Sequence, residues 1–255
     1  MIVEEATQYC HNYKIVIEYD GGCFHGWQKQ QNLITVQSEL ERAIHIALHT
    51  SEVSPLQAAG RTDSGVHALG QVVNFKTNFE VDLRRLKSAV SNILKNKLSI
   101  LDAVEVPLSF NSLHSAVARQ YRYVILNRHA PAVIDHTKAW HVVFPLDVDK
   151  LKLDAAALIG EHDCTSFRAS GCLSKSATKK IFESYVSIEG RHLVYTIRGK
   201  GFLKQMVRNI VGTLVELNRG KLELKSMQDV LQAKDRKKAG PTAPAHGLYL
   251  ERVEY

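Results

Sequence analysis

Lys14-Ile15-Val16-Ile17-Glu18-Tyr19 is the clearest strand in the sequence, and Asp20-Gly21-Gly22 ends it. Its β-branched and aromatic residues favour a strand, while glycine and aspartate favour the turn that follows. The next element is a helix that begins at Thr35, because apolar residues then recur with the 3.6-residue period of one helical face. They are Val36, Leu40, Ala43, Ile44, Ala47 and Leu48.

The same reasoning carried along the chain predicts the order β-α-β-β-α-β twice. In the first half, strands are expected near residues 56–59, 71–75 and 100–106, with a helix from Asp82. In the second half we expect strands at 121–126, 180–189, 192–198 and 248–253, and helices at 146–159, 203–217 and 226–233. This repeat predicts an α+β fold of two ferredoxin-like halves, each an antiparallel sheet flanked by helices. We place the halves at residues 12–108 and 109–255.

Composition indicates a globular protein with a polyanionic partner. The 255 residues include 45% hydrophobic residues and carry a net charge of +7, and such a charge favours association with polyanions. The four cysteines show no CxxC spacing, which favours reduced thiols. Residues 1–5 are not typical of a signal peptide, and no apolar run reaches the ~20 residues of a membrane span. We therefore expect a soluble, cytoplasmic protein.

The connection expected between the second and third strands is unusually long. Its eleven residues read Gly60-Arg61-Thr62-Asp63-Ser64-Gly65-Val66-His67-Ala68-Leu69-Gly70, whereas a hairpin turn needs about 2–5. Long loops held by rigid strands often carry functional residues. Asp63 could act as a nucleophile, a general base or an electrostatic partner, or could simply cap backbone amides in a turn.

Two further segments combine cations with aromatic rings or a helix face. Strand alternation places Arg119, Tyr121 and Tyr123 on one face of a strand, and such groups suit base stacking and phosphate contact; an ordinary half-buried strand is the alternative. Lys204 and Arg208 are four residues apart and are expected to share the polar face of a helix, where they could reach phosphates or the Asp63 carboxylate, or be simply solvated. The charged run at residues 234–238 predicts a plain surface or an auxiliary RNA contact.

Several enzyme classes are disfavoured by the motifs that the sequence lacks. A glycosidase usually needs two carboxylates, and the Asp63 loop offers one. There is no HExxH motif, no Walker A loop, no dinucleotide-binding glycine loop and no GxSxG elbow. Two other readings stay open: a non-catalytic RNA-binding module, and a metal-dependent hydrolase that uses His162, Asp163 and Cys164.

The segment 60–68 resembles the GRTDAGVHA motif of the TruA family of tRNA pseudouridine synthases. Five further motifs follow the family's order over residues 14–255: Tyr19-Asp20-Gly21 with Gly26-Trp27-Gln28 and Thr35-Val36-Gln37; Arg119-x-Tyr121-Arg122-Tyr123; Gly160-Glu161-His162-Asp163; Phe202-Leu203 with Met206-Val207-Arg208-Asn209; and Pro244-x-x-Gly247-Leu248-Tyr249-Leu250. Ser64 replaces the common alanine, and Asn111-Ser112-Leu113-His114 departs from the family's usual residues.

The resemblance implies conversion of uridine to pseudouridine at positions 38, 39 and 40 of the tRNA anticodon stem-loop, with base flipping. It implies a homodimer, no metal, no organic cofactor and an active-site cleft between the two halves. Asp63 falls on the family's essential aspartate, Tyr121 on the tyrosine that packs on the target base, and Arg61 on the arginine linked to base flipping. Arg208 falls on the arginine that pairs with the aspartate, and Lys204 is expected to contact substrate.

Overall fold

The computed structural model describes residues 9–255, so residues 1–5, on which the signal-peptide argument rests, lie outside the described part of the chain. The chain divides into two compact units. The first ends at Ala116 and includes Tyr255, and the second spans Val117–Glu254. None of the helices within residues 9–255 is both long enough and apolar enough to cross a membrane.

The first unit has the predicted order β-α-β-β-α-β. Its strands are β1 (His11–Tyr19), β2 (Gln57–Ala58), β3 (His67–Thr77) and β4 (Leu98–Glu105), and its helices are α1 (Val36–Leu48) and α2 (Leu83–Ile93). The strands pair antiparallel, with β1 between β3 and β4 and with β2 on β3. One face of β1 is almost completely buried, through Tyr13, Ile15, Ile17 and Tyr19.

Both helices of the first unit begin where the sequence predicts. The Thr35 hydroxyl accepts a hydrogen bond from the Ser38 backbone N–H while the Ser38 side chain reaches back, which forms a capping box. Asp82 caps α2 through the Arg85 backbone N–H. Such caps satisfy backbone donors that a helix leaves open at its first turn.

The second unit contains the predicted elements and two short strands that the periodicity does not reveal. Its strands are β5 (Ala118–Asn127), β6 (Trp140–Val142), β7 (Gly160–Asp163), β8 (Thr178–Glu189), β9 (His192–Gly199) and β10 (Leu248–Glu254), and its helices are α3 (Val148–Ala156), α4 (Met206–Asn218) and α5 (Met227–Ala233). Within this unit the sheet runs β10-β5-β9-β8-β7, and β6 pairs parallel with β5.

Helix α4 differs from its prediction in start and in burial. It begins at Met206 instead of residue 203, because Gln205 takes a left-handed conformation (φ 59°) immediately before it. Ten of its thirteen residues are buried, so it is enclosed on nearly all sides, unlike a surface helix with one apolar stripe. The expectation that Lys204 and Arg208 share a polar helix face is therefore wrong, since Lys204 precedes the helix.

Candidate active site

The Asp63 segment is a short turn that leads directly into a central strand. Only residues 59–66 separate β2 from β3, since His67 already belongs to β3, and the expected eleven-residue connection is therefore too long. The Val66 backbone N–H donates to the Asp63 carbonyl at 3.1 Å, and Gly65 adopts a positive φ of 80°. Glycine is the residue that tolerates such a conformation without strain.

Thr62 anchors this turn on both its backbone and its side chain. Its carbonyl accepts a hydrogen bond from the Trp27 backbone N–H at 3.0 Å. Its hydroxyl lies 2.7 Å from the Tyr19 hydroxyl at the end of β1, in a buried hydrogen bond. The residue immediately before Asp63 is thus fixed by Tyr19 at the end of β1 and by Trp27 in the segment that follows it.

Two glycines allow the segment after β1 to pack against the turn backbone. A Cβ atom on Gly21 would lie 2.1 Å from the Val66 carbonyl oxygen, and one on Gly26 would lie 3.0 Å from the Thr62 carbonyl oxygen. Gly26 also has φ +85°, so both its conformation and its contacts require glycine. These contacts bring the segment after β1 directly against the backbone of the Asp63 turn.

His67 joins the same two segments from the first position of β3. It is 2% exposed, and its Nδ1 accepts a hydrogen bond from the Gly21 backbone N–H at 3.0 Å. The same nitrogen lies 3.1 Å from Asp20 Oδ1. The ring of His67 therefore links the segment after β1 to the start of β3.

The residues that anchor this turn differ from the residues that it exposes. Thr62, Val66 and His67 are buried, whereas Asp63 is partly exposed and Arg61 is exposed. A carboxylate carried on a fixed backbone and open on one side can meet a ligand with little loss of conformational entropy, as preorganised sites do.

Tyr121 and Tyr123 lie on the inward side of β5 in the second unit, as the alternation predicts. Tyr121 is 9% exposed, and its ring meets Phe202 edge-on with 5.1 Å between ring centroids. The Tyr123 hydroxyl donates to the Pro244 carbonyl at 2.8 Å. Burial raises the pKa of the Tyr123 hydroxyl, with Arg208 acting in the opposite sense. The sequence offers Phe202 only as part of a motif, and its contact with Tyr121 depends on the tertiary structure.

Arg208 is half-buried at the start of α4 and is held by the chain that precedes β10. Its Nε donates to the Ala243 carbonyl at 2.8 Å, and the Ala243 backbone N–H donates to the Arg208 carbonyl at 3.1 Å. Lys204 is exposed and lies beside the loop after residue 168: its carbonyl accepts from the Ala169 N–H at 3.4 Å.

Asp163 and Cys164, which a metal-dependent hydrolase would use, have structural roles in this fold. Asp163 accepts hydrogen bonds from the backbone N–H and hydroxyl of Thr165, at 3.0 and 2.6 Å. Burial raises the pKa of the Cys164 thiol to about 11, which disfavours the thiolate that binds metals. Within residues 9–255, no group of three or more His, Cys, Asp or Glu side chains could hold a metal ion.

The family departure at residues 111–114 forms a local turn. Asn111 Oδ1 accepts hydrogen bonds from the backbone N–H groups of Leu113 and His114 at 3.0 and 3.1 Å. An asparagine side chain commonly stabilises a turn in this way. The turn accounts for Asn111 structurally and leaves the exposed His114 side chain facing solvent.

Comparison with known proteins places this fold and these segments in one class of RNA-modifying enzymes. The family described as tRNA pseudouridine synthase matches residues 15–113 and 155–255. The chain is 41% identical over 244 residues to tRNA pseudouridine synthase A of Thermoanaerobacter sp. (strain X514), covering 96% of this chain and 99% of that protein. It is 42% identical over 244 residues to the protein of the same name from Buchnera aphidicola subsp. Acyrthosiphon pisum (strain APS), covering 95% and 91%.

The chain therefore belongs to the tRNA pseudouridine synthase family. It is an isomerase of the TruA type that converts uridine to pseudouridine in tRNA. Among solved structures, a Cbf5-Nop10-Gar1 complex matches 93% of this chain and 48% of its own chain, at 11% identity and a TM-score of 0.35. That likeness is too low to support a conclusion about the fold.

Proposed function

We propose that this enzyme modifies uridines at positions 38, 39 and 40 in the anticodon stem-loop of tRNA, and that Asp63 is its essential carboxylate. The observation that carries the assignment of Asp63 is the contrast within its turn. Thr62, Val66 and His67 are buried and anchored, while Asp63 is partly exposed. The proposal assigns the catalytic carboxylate to the ferredoxin-like half at residues 12–108, and the tyrosine and arginine to the half at residues 109–255.

The reaction breaks the N1–C1′ glycosidic bond, rotates the uracil and forms a C5–C1′ bond. The C5 proton is lost and N1 gains a proton, so atoms balance without an oxidant, a reductant or a transferred group. Asp63 can take part through attack at C6, through attack at C1′, or by promoting elimination to a glycal, and the family resemblance is compatible with all three.

The roles proposed for the other residues follow from the base pairing of the target uridine in a stem. A base paired in a stem must be flipped out, and unstacking with unpairing costs a few kcal/mol. Arg61, which is exposed, is proposed to occupy the vacated space. Tyr121 stacks on the flipped uracil, and Arg208 is the cation that favours the ionised Asp63. Lys204, exposed and outside the helix, contacts a phosphate.

A comparison of two adjacent substitutions tests the role of Asp63. Asp63→Asn removes the charge while keeping the shape, and Ser64→Ala changes the neighbouring exposed residue to the family's usual alanine. Pseudouridine is mapped by position across a tRNA pool that lacks the modification. We expect Ser64→Ala to modify positions 38–40 normally and Asp63→Asn to bind tRNA without turnover.

Separate results would contradict the role of Asp63 and the choice of target positions. Turnover by Asp63→Asn refutes the role of the carboxylate, and modification confined to other positions refutes the anticodon stem-loop as the target. An enzyme that binds tRNA and never forms pseudouridine, even as the wild type, would be the RNA-binding module considered above.

The proposal also includes a homodimer that acts in the cytoplasm. Sedimentation equilibrium at working concentration tests the oligomeric state, and a monomer would contradict it. Binding of tRNA is expected to weaken steeply as salt rises, because cationic side chains displace counterions from phosphates. Affinity that does not change from low to moderate salt would contradict a basic binding surface.

A further inference from the structure

The chain before β10 packs directly on the backbone of helix α4. A Cβ atom on Gly212 would lie 1.7 Å from the Pro241 carbonyl oxygen, so the two backbones are in contact there. The Gly240 backbone N–H donates to the Thr213 hydroxyl at 2.9 Å, and this hydroxyl donates to the Asn209 carbonyl at 2.7 Å. We call residues 240–243 the clamp segment.

The clamp segment ends on Arg208. Ala243 accepts a hydrogen bond from the Arg208 Nε and donates one to the Arg208 carbonyl, at 2.8 and 3.1 Å. The first bond fixes the orientation of the guanidinium group, and the second fixes the backbone that carries it. A shift of the clamp segment would therefore redirect the Arg208 side chain.

Arg236 holds the clamp segment in place from the charged run at residues 234–238. Its guanidinium donates to the Gly240 carbonyl at 2.8 Å, to Asn209 Oδ1 at 3.1 Å and to Thr242 Oγ1 at 3.4 Å. Thr242 Oγ1 also donates to Asn209 Oδ1 at 2.6 Å. One planar group thus joins Gly240 and Thr242 of the segment to Asn209 in the first turn of α4.

Arg236 is unlike a solvated surface cation. Burial lowers the pKa of its guanidinium, and the guanidinium donates to neutral oxygens of a carbonyl, an amide and a hydroxyl. Partial burial of a cation costs free energy unless its donors are satisfied, and here the satisfied donors all meet the clamp segment or α4. Its neighbour Lys238 instead pairs with Glu223, an exposed carboxylate.

We propose that Arg236 is a positioning residue for Arg208, acting through the clamp segment. This inference rests on the proposed role of Arg208 in turnover. The positioning role requires the several N–H donors of a planar guanidinium. A lysine carries a single point charge and cannot bridge Gly240 and Asn209 in the same way.

The experiment compares Arg236→Gln and Arg236→Lys with a matched control, Arg219→Gln. Arg219 is also a partly buried arginine of this unit; it pairs with Glu216 at 2.7 Å and does not contact the clamp segment. Hydrogen exchange at the Arg208 Nε–H is followed by NMR, with the resonance identified by its absence in Arg208→Lys. Turnover and KM are measured on unmodified tRNA.

We expect both Arg236 variants to exchange the Arg208 Nε–H faster and to lose about tenfold in kcat, as small misplacements of reacting groups do, with KM unchanged. Arg219→Gln should keep the wild-type exchange and kcat. In the Arg208→Lys background, Arg236→Gln should cause little further loss, because residues that act as a unit are not additive.

Several outcomes would overturn the inference. Unchanged Arg208 exchange in Arg236→Gln would do so directly, as would full additivity with Arg208→Lys. Full activity of Arg236→Lys would show that charge alone matters, as expected of a phosphate contact. If Arg236→Gln does not fold, Thr242→Val removes one bond of the same network and must show the same exchange effect. A fully active Arg208→Lys would instead refute the proposed function of Arg208, while the exchange measurement still tests the positioning.

Discussion

Gly21→Ala should damage the enzyme far more than Gly22→Ala, although the two glycines are adjacent. An added Cβ at Gly21 would lie 2.1 Å from the Val66 carbonyl oxygen and 2.3 Å from its carbon, whereas real Cβ atoms essentially never come within 3.0 Å. At Gly22 the nearest atom is Asp20 Oδ1 at 3.2 Å, which belongs to a side chain. Neither glycine has a positive φ, so the difference is one of contact.

The size of the effect follows from the required displacement. The Val66 carbonyl must move by about 1 Å, and Val66 closes the turn that carries Asp63. Overpacking of this kind costs about 1–3 kcal/mol of stability, and a misplacement of ~1 Å at a reacting group can lower the rate about 100-fold. We therefore expect Gly21→Ala to show both losses.

Turnover can be measured by the release of tritium from tRNA labelled at uridine C5, since that proton leaves in the reaction. Urea denaturation gives the free energy of unfolding of each variant. If Gly21→Ala turns over like Gly22→Ala while both fold, the close contact does not position Asp63 and the reasoning is wrong.

Three other substitutions or treatments test the surrounding structure. Tyr19→Phe removes a buried hydrogen bond to the turn and should lower the free energy of unfolding by about 1 kcal/mol in urea titrations; no loss would contradict the anchor. The pKa of Asp135 is lowered, chiefly by the hydrogen bond from His192, so its contribution to stability is present above the ordinary aspartate pKa and is lost as pH falls through the lowered value. Asp135→Asn should therefore flatten the acid limb of the stability curve, and an unchanged limb would refute the pairing. Although desolvation opposes it, hydrogen bonds from the Lys204 and Ser174 backbones and from Arg168 lower the pKa of Cys172. Iodoacetamide at pH 8 should therefore label Cys172 well before the buried Cys164, and the reverse order in mass spectrometry would contradict this expectation.

The sequence predicts the long regular elements well because burial imposes a period on them. β1 alternates because one of its faces is buried and the other is more exposed. Helix α1 begins after Thr35 because the Thr35 hydroxyl and Ser38 form a capping box. β6 and β7 have three and four residues, too few for a period to show. Their existence depends on pairing with β5 and β8, which no local pattern encodes.

The sequence does not predict where the side chains of Lys204 and Arg236 lie in the second unit. Lys204 and Arg208 are four residues apart, and only the left-handed Gln205 between them removes Lys204 from the helix. Arg236 belongs to a run of charges that is indistinguishable from a solvated surface in sequence. Its partners are brought to it by the clamp segment, so its role depends on tertiary structure.

A motif shared with a family identifies chemical and supporting residues together, and the structure is needed to separate them. In the segment 60–68, Thr62 and His67 are buried and bonded to the segment after β1, whereas Arg61 and Asp63 reach solvent. Substitution of the first pair should affect stability and turnover together, since both depend on the same backbone. Substitution of Asp63 by asparagine should affect turnover more than stability, because it keeps the shape of the side chain and removes only its charge. The segment 60–68 therefore combines residues that fix the shape of the turn with the residues to which the chemistry is assigned.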